Sequence, residues 1–192
     1  MRGVSIEEIR HIAELSSPCL WRAARGFGRE PKLYLHWSAG RYGQLFDAYH
    51  INIDADGSVY VSTENFAEVL AHTWMRNSGA IGITLACAYR ATTEDLGSFP
   101  PTEMQIEVIA AVVAELAGIL RIPVDVRHVL THGEAADNED GMYPHAPYGP
   151  KTNCERWDLE YLGTEESPSF APWAQGKRGG DILRGKAIWY AG

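Results

Sequence analysis

"PPTEMQIEVIAAVVAELAGILRIPVDVRHVLTH", residues 100–132, is the stretch from which the rest of the chain can be read. Ile106, Ile109, Val113, Leu116 and Leu120 recur on one helical face, and Thr102 with Gln105 forms a capping box ahead of them. "VDVRHVLTH" (124–132) then reads as a strand. Just upstream, "AIGITLACAY" (80–89) is a continuous apolar run of strand length, suited to the middle of a sheet. Working outward, "PKLYLHWS" alternates Leu33 and Leu35 with Tyr34 and His36 and predicts a strand ending at residue 37. "AYHINIDADGSVYVS" reads as two strands around an Asp-Ala-Asp-Gly turn at 54–57, where Gly57 tolerates positive φ. "ERWDLEYL" (155–162) is expected to begin a short helix. The order β, ββ, β, α, β, α implies an α/β fold, a central mixed β-sheet flanked by helices.

The chain has 192 residues, enough for one domain with a sizeable core. That domain is expected to span 1–192, with its core at about 30–163. Residues 1–29 form an N-terminal helical segment in which Ile6, Ile9, Ile12 and Leu15 face one way and Ser5 is the N-cap. Residues 164–192 are expected to be a tail packed on the body, and no chemistry is visible in it. Net charge is −8 and no basic stripe stands out, which argues against nucleic acid as a partner. Cys19, Cys87 and Cys154 are odd in number and widely spaced, against a disulfide framework and compatible with a thiol metal ligand. The first residues lack the apolar run and cleavage site of a secretory signal, and no run of eighteen apolar residues predicts membrane insertion. The expectation is therefore cytoplasmic synthesis without a signal peptide. Nothing in the sequence sets the oligomeric state.

His36 and His132 both close predicted strands and open into small residues, in "LHWSAG" and "LTHGE". Strand ends opening into loops are where scaffolds display functional side chains. Two imidazoles from separate strands, joined by one anionic side chain from a later loop, make the open three-ligand arrangement of catalytic Zn2+. The long polar loop after His132 closes on Cys154 and Asp158, either of which supplies such a ligand.

Five collinear segments, "LHWSAG", "YHINIDADGSVY", "AHTW…NSGAIGITL", "PPTEMQIEVIAAVVAEL" and "LTHGE…CERWDL", resemble the zinc-dependent N-acetylmuramoyl-L-alanine amidases. That family includes phage endolysins and the peptidoglycan recognition proteins. The resemblance runs from about Leu33 to Leu162. It implies a zinc cleft on one face of the sheet, a peptidoglycan or muropeptide substrate, and hydrolysis of the amide between N-acetylmuramic acid and L-alanine. A non-catalytic peptidoglycan-binding module is the alternative. A wall-degrading enzyme of this kind acts after release or export, as a phage or prophage endolysin does, or on wall fragments in the cytosol.

The resemblance also implies roles for single residues. His36 and His132 match the two zinc histidines. The third ligand is Asp158, with Cys154 the alternative, because "CERWD" also aligns with a Cys-Pro-x-Phe-Asp close. Tyr49 falls on a tyrosine directed at the zinc-bound water or the oxyanion. Many members keep a glutamate where this chain has Thr84, which makes Glu134, two residues after His132, the candidate acid/base. Lys151 matches a lysine that stabilises negative charge. His72, Arg76 and Asn77 match a segment bordering the substrate groove, where an arginine suits the carboxylates of a stem peptide. Tyr143, His145 and Tyr148 are expected to form a groove wall.

Overall fold

A computed structural model describes residues 1–92, 95–142, 157–167 and 177–192. Ten elements follow in order: β1 (Arg2–Val4), α1 (Ile6–Arg25), β2 (Lys32–Trp37), β3 (Ile51–Ile53), β4 (Val59–Val61), β5 (Ala80–Leu85), α2 (Glu103–Leu120), β6 (Val129–Thr131), α3 (His132–Ala136) and α4 (Gly179–Ala191). The strands form one mixed sheet ordered β1-β4-β3-β5-β2-β6. β2 runs parallel to β5 and β6, β3 runs parallel to β5, and β3–β4 and β1–β4 are antiparallel. The expected mixed sheet flanked by helices is what forms.

Strand alternation gives the sheet two different faces. Leu33, Leu35, Trp37, Ile51, Ile53, Ile81, Ile83 and Leu85 point into the main core. There they meet Ile9, Ile12 and Leu20 of α1, Ile109, Val113 and Leu116 of α2, and Leu183 of α4. Tyr34 packs with Ala80, Leu130 and Ala135 in a separate cluster. His36 lies two residues beyond Tyr34 and so shares its face of the sheet. β2 and β5 are buried along their whole length, which is why "AIGITL" is continuously apolar.

Local signals account for most boundaries. Ser5 and Thr102 both close full capping boxes, with Glu8 and Gln105. The 54–57 turn forms as expected, with Gly57 at φ 85° and the Asp54 N–H donating to the Ser58 carbonyl at 2.9 Å. α1 continues through Pro18 to Arg25. Three expectations change. β6 holds only three residues, so "VDVRH" is mostly turn. No helix forms over the described part of "ERWDLEYL": residues 157–160 make a turn, with Leu159 at φ 63°. The tail, in turn, carries a thirteen-residue helix, α4, packed against α2. No helix among the described residues is long and apolar enough to cross a membrane.

Candidate metal centre

Three elements deliver the candidate ligands. His36 is the penultimate residue of β2 and fully buried. His132 is the first residue of α3 rather than the last of a strand. Thr131 caps that helix, its hydroxyl accepting from the Glu134 N–H at 3.2 Å. Asp158 sits in the 157–160 turn, anchored on both sides. Trp157 packs edge-on against Trp37 with ring centroids 5.2 Å apart, and Leu159 is fully buried.

The donor atoms converge. His36 Nδ1 and His132 Nδ1 are 3.0 Å apart, and each lies 3.3 Å from Asp158 Oδ2. Two imidazole lone pairs face each other at that distance only with a cation or a proton between them. A tetrahedral Zn2+ with bonds of about 2.0–2.2 Å spaces its ligand atoms by roughly 3.3 Å or slightly more. The triangle therefore fits such an ion, and three protein ligands of this kind would leave a corner for water or substrate. Among the described residues this is the one cluster of three or more His, Cys, Asp or Glu side chains with that convergence.

A second layer orients the first. Thr73 Oγ1 lies 3.2 Å from His36 Nε2 and 2.9 Å from His72 Nδ1. His72 is buried, with its ring against Gly82; a Cβ there would come within 2.5 Å of the imidazole. Burial, reinforced by the neighbouring imidazoles of His36, His50 and His132, holds the His72 pKa well below the usual histidine value. Tyr49 stands beside the first ligand, its ring centroid 5.0 Å from that of His36. His50 turns away: its Nδ1 accepts the Gly82 N–H at 3.0 Å, and its Nε2 meets the Glu68 carbonyl at 2.9 Å. Burial lowers its pKa to about 4, the Glu68 carbonyl opposing the shift.

His72 and Asn77 line a shallow hollow of about 240 Å³ together with Ala71, Thr73, Trp74 and His132. A roomier cleft, about 780 Å³, lies between α1 and the end of α2 and contains none of the ligating residues.

Two of the expected roles do not fit this geometry. Arg76 is fully buried rather than facing a groove. Its Nε and Nη2 hold Asp140 at 2.7 and 3.0 Å, and Nη2 also donates to Asn138 Oδ1 at 2.8 Å. A guanidinium so enclosed does not reach a substrate carboxylate. Glu134 is also buried, and both its oxygens are paired with Arg184 at 2.7 Å while one accepts the Thr131 N–H at 2.9 Å. A carboxylate engaged in this way is a structural ion, not a proton carrier. Sequence reasoning missed Thr73 and the arginines of the tail, Arg178 and Arg184. Lys151, Cys154, Tyr143, His145 and Tyr148 lie outside the described residues.

Two histidines, one near the end of β2 and one opening α3, and an aspartate in a turn thus bring their donor atoms together on an α/β scaffold in an arrangement that could hold a metal ion. Residues 22–152, well over half of the chain, match the model of the N-acetylmuramoyl-L-alanine amidase family, and the chain belongs to that family. The matched stretch contains His36, Tyr49, His72 and His132 and stops short of Asp158. Among solved structures, the endolysin N-acetylmuramoyl-L-alanine amidase LysCS from Clostridium intestinale URNW is 17% identical. The match covers 54% of this chain and 68% of that one at a TM-score of 0.40. No curated protein matches the chain.

Proposed function

We propose that this chain hydrolyses the amide between N-acetylmuramic acid and L-alanine of peptidoglycan, using one Zn2+ held by His36, His132 and Asp158. The observation that carries the reading is the donor triangle of 3.0, 3.3 and 3.3 Å in a member of the amidase family. When bound, zinc would supply Lewis acidity and lower the pKa of water towards about 7. The chain's own groups do the rest. Thr73 fixes the ring of His36. Tyr49, whose ring lies beside that of His36, would donate its phenolic proton to negative charge developing on the carbonyl oxygen. His72, Trp74 and Asn77 border the hollow next to His132 and line a path for the stem peptide. Lys151 remains the candidate for further charge stabilisation. Glu134 drops out as acid/base.

The test joins metal analysis to product analysis. Purified protein is expected to hold about one zinc per chain. Digestion should release stem peptides beginning with free L-alanine, read by mass. Asp158→Ala should lose both zinc and at least about 100-fold in turnover, more than a change to a group that only orients a ligand. Cys154→Ser should leave both close to wild type, and the reverse pattern would make Cys154 the ligand. Assay on intact walls and on soluble muropeptides separates a lytic enzyme from one that recycles fragments. Wall digestion undiminished in metal-stripped protein would refute the zinc mechanism.

A further inference from the structure

We propose that Arg178–Gly179–Gly180–Asp181 and Arg184, at the start of α4, form a clasp that sets the position of His132 relative to Asp158. Arg178 and Arg184 are then positioning residues of the metal centre. The proposal rests on the zinc reading above and extends it to a segment outside the stretch that matches the family.

The first observation is the reach of one guanidinium. Arg178 Nη2 holds Glu160 Oε1 at 2.5 Å, and its Nε holds Glu160 Oε2 at 2.9 Å. Its Nη2 also pairs with Asp137 Oδ2 at 3.0 Å and its Nη1 with Glu139 Oε1 at 3.1 Å. Glu160 is two residues past Asp158, and Asp137 is the C-cap of α3, the helix that His132 opens. A single cation thus bridges the turn carrying one ligand to the helix carrying another.

A second arginine works from the other side. Arg184 pairs through both Nη atoms with Glu134, two residues after His132, and its Nη1 also donates to the Val129 carbonyl of β6 at 2.9 Å. Asp181 holds the same guanidinium at 2.7 Å.

The third observation is steric and independent of charge. A Cβ on Gly179 would land on the Leu159 carbonyl, next to Asp158, while the Gly179 N–H donates to the Glu160 carbonyl at 3.1 Å. A Cβ on Gly180 would land on both Glu134 carboxylate oxygens. One on Gly133, next to His132, would come within 2.5 Å of Glu160 Oε1 and 2.9 Å of its Cγ. None of the three glycines has positive φ. What they supply is close approach of three segments of backbone. Metal ligands need placement to within about 0.5 Å, and salt bridges with close backbone approach on both candidate-ligand segments meet that need.

Two measurements on the full chain test the clasp. The variants are Gly179→Ala, Gly180→Ala, Arg178→Lys and Arg184→Lys, with Gly185→Ala as control because nothing lies within 4 Å of its Cβ position. Competition with a chromophoric chelator should show zinc affinity reduced roughly 10- to 100-fold in the first four and unchanged in the control. In metal-free protein, amide hydrogen exchange of residues 131–137 and 157–162 should accelerate together, about tenfold or more, while β3 and β4 stay protected. Arg178→Lys, which keeps the charge but not the bridging fork, provides the measurement if an alanine variant does not fold. Unchanged exchange in those two segments, or equal acceleration throughout the molecule, overturns the clasp. A wild-type chain that binds no zinc, with both segments still loosened in the variants, counts against the metal reading and for the clasp.

Discussion

The hydroxyl of Thr73 links the protonation of two histidines. For His36 Nδ1 to offer a lone pair toward His132 and Asp158, the ring proton must sit on Nε2, which then donates to Thr73 Oγ1. The threonine proton is thereby directed to His72 Nδ1, leaving the His72 proton on Nε2, an atom with no hydrogen-bond partner among the described residues. Thr73→Val keeps the shape and removes the link. Zinc affinity is expected to fall by about 10- to 100-fold with little change in fold, and Thr73→Ser to retain most of it, both read by chelator competition. His36 and His132 were legible as candidate ligands because predicted strand ends and the family resemblance mark them, and the structure brings their Nδ1 atoms to 3.0 Å. Thr73 stands in the "AHTW" segment beside His72, yet its role depends on a contact with His36 across 37 positions that no local pattern encodes.

At the scale of elements, the buried Arg76–Asp140 pair ties the 72–77 loop, which holds Thr73, to the segment following α3. Tyr34 from β2 completes it, donating to Asp140 Oδ2 at 3.0 Å. Removing one partner leaves a buried charge. Arg76→Leu is therefore expected to destabilise the fold by about 3–5 kcal/mol, seen as a lower urea midpoint. Adding Asp140→Leu should recover much of that loss, and a double variant no better than the single one would contradict the explanation. In sequence an arginine in a loop reads as a surface cation; that its partner returns 64 positions later is tertiary information. The helices divide in the same way. α2 was legible from its capping box and its spaced apolar residues. α4 was not, since Gly179, Gly180 and Gly185 each disfavour a helix by nearly 1 kcal/mol relative to alanine. Packing against α2 and the Glu134–Arg184 pair override that preference.

Over the whole molecule, the neutral histidines beneath the sheet set a pH dependence. The folded-state pKa of His50, about 4, lies below its ordinary value of 6.5. Between those values the unfolded chain takes up a proton that the native one refuses. Stability is thus fully present above pH 6.5, falls as the pH drops towards 4, and levels off below that, with a total effect on the order of 3 kcal/mol. His72, shifted in the same direction, adds to the slope. Urea midpoints measured from pH 7 to pH 4 should show it, and His50→Gln, which can still accept from Gly82 and donate to Glu68, should flatten part of it. An imidazole resonance of His50 titrating near 6.5 in the folded protein would remove the basis of this expectation. The two-faced sheet was readable from alternation in "KLYLHW" and from the apolar "AIGITL". The strand order was not, because parallel pairing joins segments without any turn signal between them.

The donors are also spread far along the chain, His132 lying 96 positions after His36 and Asp158 lying 122 after it. During synthesis both imidazoles are therefore made before the carboxylate, and Arg178 and Arg184, which hold the segments bearing Asp158 and His132, come later still. If the three groups grip zinc as proposed, a nascent chain stalled ahead of α4 would hold the ion more loosely than one that carries that helix.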